Sequence, residues 1–136
     1  MNVSGHRMGT AEVESAINEH SEVIESAVVG YPHDIKGEGI YAFVIINPGS
    51  ENDNIKNQIT DVVRNVIGPI AKPDKIQIVS GLPKTRSGKI MRRILRKVAS
   101  NDLSNMGDTS TLLNPDIVEE ISQGAINELI CPILYL

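Results

Sequence analysis

Tryptophan is absent from this chain, and its other aromatic residues amount to one phenylalanine and three tyrosines in 136 positions. Single-stranded nucleic acid is usually gripped by stacking on such rings, so that mode of binding has little material to work with. The lone cysteine, Cys131, excludes an internal disulfide and points to a reducing cytosol. It has no basic residue or histidine beside it to activate the thiol as a nucleophile. The first twenty residues lack the apolar stretch of a signal peptide and do not form an amphipathic presequence. The longest late apolar run, Leu129 to Leu136, is far too short to span a bilayer. A cytoplasmic chain without a membrane segment is therefore expected. His33 and Asp34 adjoin, yet no metal-ligand spacing surrounds them, and no metal site is expected.

One further absence is local. No Asp or Glu occurs between Asp74 and Asp102, whereas seven of the 13 Lys and Arg residues (Lys84, Arg86, Lys89, Arg92, Arg93, Arg96 and Lys97) crowd between Lys84 and Lys97. The whole chain is nevertheless acidic, with a formal charge of -4. A cation cluster on an acidic protein suits a small polyanion better than long nucleic acid.

The remaining pattern is that of one small α+β domain. Thr10 reads as an N-cap before a short amphipathic helix carrying Val13, Ala16, Ile17 and His20, with His20 as a structural histidine. Val23 to Val29 is a β-branched strand ending at Gly30-Tyr31-Pro32, and His33 to Gly39 an exposed turn. Ile40 to Ile46 is almost uniformly apolar, as a strand covered on both faces would be. Asn54 to Ile67 predicts a longer helix with Ile55, Ile59, Val62, Val63 and Val66 on one stripe, stopped by Gly68-Pro69. Lys75 to Val79 is a third strand, and a helix is predicted from about Lys89 to Ala99 with Ile90, Ile94 and Val98 inward. Gly107 to Asn114 reads as extended and loosely held, and Pro115 to Ile121 as a short last helix. These elements predict helices packed against a small three-stranded mixed sheet, with the first two strands antiparallel.

The segment Leu82-Pro83-Lys84-Thr85-Arg86-Ser87-Gly88-Lys89-Ile90 carries the most chemistry. Gly88 frees the backbone before Lys89, and Pro83 stiffens the approach. An ammonium on a long stem at the expected start of a helix is an anion-binding arrangement. Such a cation can stabilise negative charge growing in a transition state. A P-loop does not fit, because Pro83 occupies the place of its first glycine and Ile90 follows the lysine where Ser or Thr is required. A merely solvated basic loop and helix is the plain alternative, and it leaves the Gly, Ser and Thr around the lysine unaccounted for. Ser4-Gly5-His6-Arg7 could hold an anion with its backbone donors and the Arg7 fork, with a turn carrying an incidental Arg as the default, and Arg64 lies beside the apolar stripe of its helix with exposure as the default.

These same residues resemble the C-terminal domain of the adenylate-forming acyl-CoA synthetase family, in its acetyl/propionyl branch. The resemblance rests on Asn2-Val3-Ser4-Gly5-His6-Arg7-Met8-Gly9-Thr10-Ala11-Glu12-Val13-Glu14 and on Gly30-Tyr31-Pro32-His33-Asp34. It continues through Pro83-Lys84-Thr85-Arg86-Ser87-Gly88-Lys89-Ile90-Met91-Arg92-Arg93 and Gly107-Asp108-Thr109-Ser110-Thr111. It implies a domain over residues 1–121 and an acetate–CoA ligase activity, forming acetyl-CoA from acetate, ATP and CoA through acetyl-adenylate with release of AMP. Lys89 matches the family lysine that meets carboxylate and phosphate oxygens during adenylation. Ser4, Gly5 and Arg7 match the side that forms the thioester, and Arg64 an arginine near the CoA nucleotide phosphates. Mg2+ is expected in the full enzyme, with no site for it identified in this chain.

The resemblance also implies a partner. It begins just after the point where these enzymes carry an aspartate hinge, so a large N-terminal domain is expected to supply most of the ATP and acetate pocket, and the chain alone is expected to be inactive. The alternative is a noncatalytic anion-binding or protein-interaction module. Residues 122–136 depart from the family pattern and end in an uncharged apolar run. A poorly packed end, a segment covered by a partner, and translation from a truncated or shifted frame all stay open for it.

Overall fold

The structure, a computed structural model, describes residues 2–3, 6–7, 9–33, 37–49, 54–100, 112 and 114–124; the side chains of 2, 3, 6, 7, 33, 37, 38 and 70 lie outside the description. Strands β1 (Asn2–Val3) and β2 (His6–Arg7) precede helix α1 (Thr10–Ile17). Then come β3 (Val23–His33), β4 (Gly37–Ile46), α2 (Ile55–Val66), a 3₁₀ turn (Pro69–Ala71), β5 (Lys75–Ile78) and α3 (Arg92–Ala99). A last helix, α4, covers residues 116–124.

The expected mixed sheet is present. Strand β4 pairs antiparallel with β3 along ten matched positions and parallel with β5 from Tyr41 to Val44 on its other side. The parallel step requires a crossover, and α2 supplies it. The ribbon of β1 and β2 adds to the sheet where Val3 meets Gly37. Both long strands outrun their predicted ends, since β3 continues through Tyr31, Pro32 and His33 into the hairpin. Tyr31 faces Gly39 across this pair, and its ring occupies the space a side chain at Gly39 would need, with ring carbons 2.6 Å from the place of its Cβ.

Alternation along the strands divides the core in two. Ile40, Ala42 and Val44 of β4 face Val13, Ala16 and Ile17 of α1 and Ile55, Ile59 and Val63 of α2. Tyr41 and Phe43 point the other way, toward Ile94, Leu95 and Val98 of α3 and Ile117, Val118 and Ile121 of α4. Strand β4 is thus covered on both faces, which is why it shows no polar alternation. The stripe predicted for α2 holds at Ile55, Ile59 and Val63 but not at Val66, which is 51% exposed in the last turn.

Several boundaries move. Gly9 rather than Thr10 is the N-cap of α1. His20 lies beyond that helix, in the turn, where its Nδ1 accepts from the Glu22 N–H at 3.1 Å and its Nε2 meets Gln58 Oε1 at 3.2 Å. It joins the end of α1 to α2, a structural role. Helix α3 begins at Arg92, three residues later than predicted, and α4 extends past Ile121.

Candidate functional site: a lysine hairpin beside a cationic groove

Lys89 is not at a helix start. It belongs to a small hairpin in which the Met91 N–H donates to the Pro83 carbonyl at 2.8 Å and Lys84 bridges Ile90. At the tip, the Thr85 N–H donates to the Lys89 carbonyl at 2.8 Å, and the Gly88 N–H returns to the Thr85 carbonyl at 2.9 Å. Gly88 has φ +89°, a conformation that glycine adopts without a Cβ penalty. This is a three-residue turn closed by a glycine in positive φ, a common way to end a short hairpin. Thr85 Oγ1 accepts from the Lys89 N–H at 3.1 Å and lies 2.9 Å from Ser87 Oγ. Thr85, Ser87 and Gly88 therefore build the turn, and the local run of small polar residues has a structural explanation. The backbone of Lys89 is held rather than hinged, and its N–H is already used.

The side chain of Lys89 is exposed and borders an open groove of about 610 Å³ lined by Glu25, Gly88, Lys89, Ile90, Met91, Arg92, Arg93 and Arg96. Glu25 is the single acidic residue in this lining, and Lys84 pairs with it at 2.9 Å. Arg92 leaves the groove to clasp Glu14 with two hydrogen bonds, one of them 3.0 Å long from Nη2 to Oε2. The side chains of Lys89 and Arg96 have no hydrogen-bond or ion-pair partner among the described residues, so the groove keeps a positive balance. An open groove is well screened by water and salt, and its cations become strong only when another surface closes over them.

The other expected site residues lie elsewhere. Arg64 is exposed in the last turn of α2, in the helical layer across the sheet from α3. The backbone of Arg7 is in β2, with its side chain outside the description, and Ser4 and Gly5 lie outside the described residues. Arg64 does not line the groove. Among the described residues no group of three or more metal-binding side chains stands together, and no helix is long and apolar enough to cross a membrane.

Sequence reading missed Asn114. Its Nδ2 donates to the Leu82 carbonyl at 2.8 Å, and its Oδ1 accepts from the Lys84 N–H at 3.2 Å. Leu112 bridges Thr85, so both described residues of the stretch read as loosely held are fastened to the lysine hairpin. The Asn114-Pro115 pair is a turn-initiating signal that marks such a position. Gln77 was missed as well: buried, it accepts from the Tyr41 hydroxyl at 2.8 Å and donates to the Ile121 carbonyl at 2.9 Å.

Known proteins share this sequence and this fold. The chain is 62% identical over 129 residues to the acetyl-coenzyme A synthetase of Alkalilimnicola ehrlichii, which covers 94% of this chain and 20% of that protein. It is also 62% identical to the acetyl-coenzyme A synthetase of Novosphingobium aromaticivorans, over 89% of this chain and 19% of that protein. The chain thus spans about one fifth of the length of the curated relatives it matches. Among solved structures, an acyl-CoA synthetase from Brucella canis superposes with a TM-score of 0.68 at 42% identity, covering 71% of this chain and 18% of that one. MatB from Rhodopseudomonas palustris superposes with the same TM-score of 0.68 at 30% identity, covering 74% and 20%. Residues 12–89, from the first turn of α1 to the lysine of the hairpin, match the model of the AMP-binding enzyme C-terminal domain, and the chain belongs to that family.

Proposed function

We propose that this chain is the C-terminal domain of an AMP-forming acetate–CoA ligase, working in the cytoplasm with a large N-terminal domain. Residues 1–121 form the working domain in this reading, with α4 running on to residue 124, and the atypical stretch 122–136 lies from residue 125 onward outside the described residues. In the first half-reaction acetate attacks the α-phosphorus of ATP, giving acetyl-adenylate and pyrophosphate. In the second the CoA thiol attacks that carbonyl and AMP leaves. Lys89 serves the first half-reaction by meeting the carboxylate and phosphate oxygens as negative charge builds. Ser4, Gly5, Arg7 and Arg64 serve the second, along the path of CoA. ATP and CoA are substrates rather than resident groups, and Mg2+ is taken to arrive with ATP.

The observation that carries this reading is the ammonium of Lys89, without a partner among the described residues, at the rim of a groove where Glu25 and Arg92 are paired and Arg96 adds a second such cation. The strong similarity to acetyl-coenzyme A synthetases supports it and gives the noncatalytic module no support. The open groove lacks a second wall, so the purified 136-residue chain should form no acetyl-CoA from acetate, ATP and CoA. The decisive test joins this chain to the large domain of the Alkalilimnicola relative. Lys89→Ala should abolish pyrophosphate release from acetate and ATP while sparing CoA attack on supplied acetyl-adenylate. Equal loss of both steps by a folded variant would refute the role given to Lys89.

A further inference from the structure

The hairpin that carries Lys89 is a very small object. Its two arms exchange a few hydrogen bonds between Pro83 and Met91, and an isolated hairpin of that size is marginal in water. Something must hold the outer side of the arm that starts at Leu82. That support comes from the far end of the chain. Leu112 adds a bridge to Thr85, and the side-chain amide of Asn114 takes both the carbonyl of Leu82 and the N–H of Lys84, as a neighbouring strand would.

Asn114 is itself well anchored. Pro115 follows it with a restricted φ, and α4 begins at residue 116. That helix is fixed by three kinds of contact. Ile117, Val118 and Ile121 enter the core, Gln77 grips the Ile121 carbonyl, and Ser80 donates to the Glu120 carboxylate at 2.7 and 2.8 Å. A rigid path thus runs from β5 through α4 and Asn114 to the hairpin. Asn114 lies beyond residues 12–89, the part that matches the family model.

We propose that Asn114 is a positioning residue for Lys89, holding the hairpin so that the ammonium reaches the reacting oxygens in the adenylation step. The proposal rests on the adenylation role given to Lys89. A misplacement of about 1 Å at a reacting centre is enough to cost on the order of a hundredfold in rate. A residue that only stabilised the domain would instead affect both half-reactions alike.

The test uses the same joined enzyme. Asn114→Ala should lower the adenylation kcat by about tenfold or more, while thioester formation from supplied acetyl-adenylate stays within about twofold. Asn114→Asp keeps the acceptor for the Lys84 N–H and loses the donor to Leu82, so its loss should be intermediate. In the 136-residue chain, hydrogen exchange at the amides of Lys84 and Lys89 should speed up in Asn114→Ala, with β4 amides unchanged. Equal loss in both half-reactions, or full adenylation in a chain whose Lys89→Ala variant is dead, overturns the proposal and leaves the role of Lys89 standing. Full adenylation in Lys89→Ala would instead remove the underlying reading. Should Asn114→Ala fail to fold, Asn114→Asp decides the question by the same split.

Discussion

Glu14 and Arg92, 78 positions apart in sequence, meet around the open edge of β3. Glu14 reaches from α1 on one face of the sheet and Arg92 from α3 on the other. The same carboxylate accepts the Val28 N–H at 2.8 Å, a backbone donor that β4 does not use. An exposed strand edge invites wrong pairing, and here an ion pair closes part of it. Glu14→Ala should cost about 1–3 kcal/mol, because it strands the N–H of fully buried Val28. Glu14→Gln keeps an acceptor for that N–H and gives up only the charge of a partly buried pair, so its loss should be clearly the smaller of the two. Urea unfolding of both variants checks the order, and equal losses would mean that the ion pair outweighs the edge cap.

Gly88→Ala isolates backbone strain at the hairpin tip. A Cβ there meets nothing within 4 Å, so sterics with neighbours are not the issue, but φ +89° disfavours any L side chain. A loss of about 1–3 kcal/mol in local or global stability is expected. Adenylation by the joined enzyme should fall further than thioester formation. Unchanged exchange at the Gly88 and Lys89 amides in the variant would show that the turn does not depend on the glycine.

Tyr31 makes the fold sensitive to alkali. Burial, reinforced by the charge of Asp74, raises its pKa above the ordinary 10.0. The folded state therefore favours the neutral phenol, and the stability it contributes is complete below pH 10.0 and fades as pH climbs through the higher folded value. Tyr31→Phe keeps a ring over Gly39 and removes the titration. Its stability should fall less than that of the wild type between neutral pH and strongly alkaline conditions, measured by denaturant midpoints across that range. Parallel curves would eliminate Tyr31 as the source.

The predicted helices and strands were largely legible because hydrophobic periodicity reports burial. The stripe of α2 and the uniform apolarity of β4 are direct records of one covered face and of two. Errors arose where a non-helical residue is also buried. Ile90 and Met91 lie in the hairpin, but both pack against the same cluster as Ile94 and Leu95, so the apolar pattern runs on and α3 appears to start at Lys89. The Ser-Gly pair before the lysine reads as freedom in sequence, whereas hydrogen bonds to Thr85 turn it into a closed tip. Asn114 and Gln77 each act through a pair of polar contacts to distant segments, which leave no periodic trace. The role of Lys89 was suggested by its neighbours in sequence. The groove it borders also takes Glu25 from β3, which only the fold brings near.

Gln77 should prove to be the most sensitive polar residue in the core. Gln77→Leu removes the acceptor used by the Tyr41 hydroxyl and the donor to the Ile121 carbonyl inside the core, and should cost about 1–3 kcal/mol. Gly124→Ala acts on the same contact, since its Cβ would stand 2.3 Å from Gln77 Nε2 and push the amide aside. The two losses should therefore be clearly less than additive in a double-mutant cycle. Simple additivity would separate Gly124 from the Gln77 bond.

Synthesis order gives the late docking of α4 a temporal meaning. A ribosome adding about 5–20 residues per second delivers Asn114 roughly one to five seconds after Lys89. The sheet, α1 and α2 can be in place by then, but Leu82, Ile94 and Leu95 still lack the apolar cover of α4. Nascent chains halted when Ala99 has cleared the exit tunnel but α4 has not should accordingly be held by chaperones and cut readily near the hairpin. Extending the halted product so that residue 124 has cleared the exit tunnel should end both vulnerabilities together.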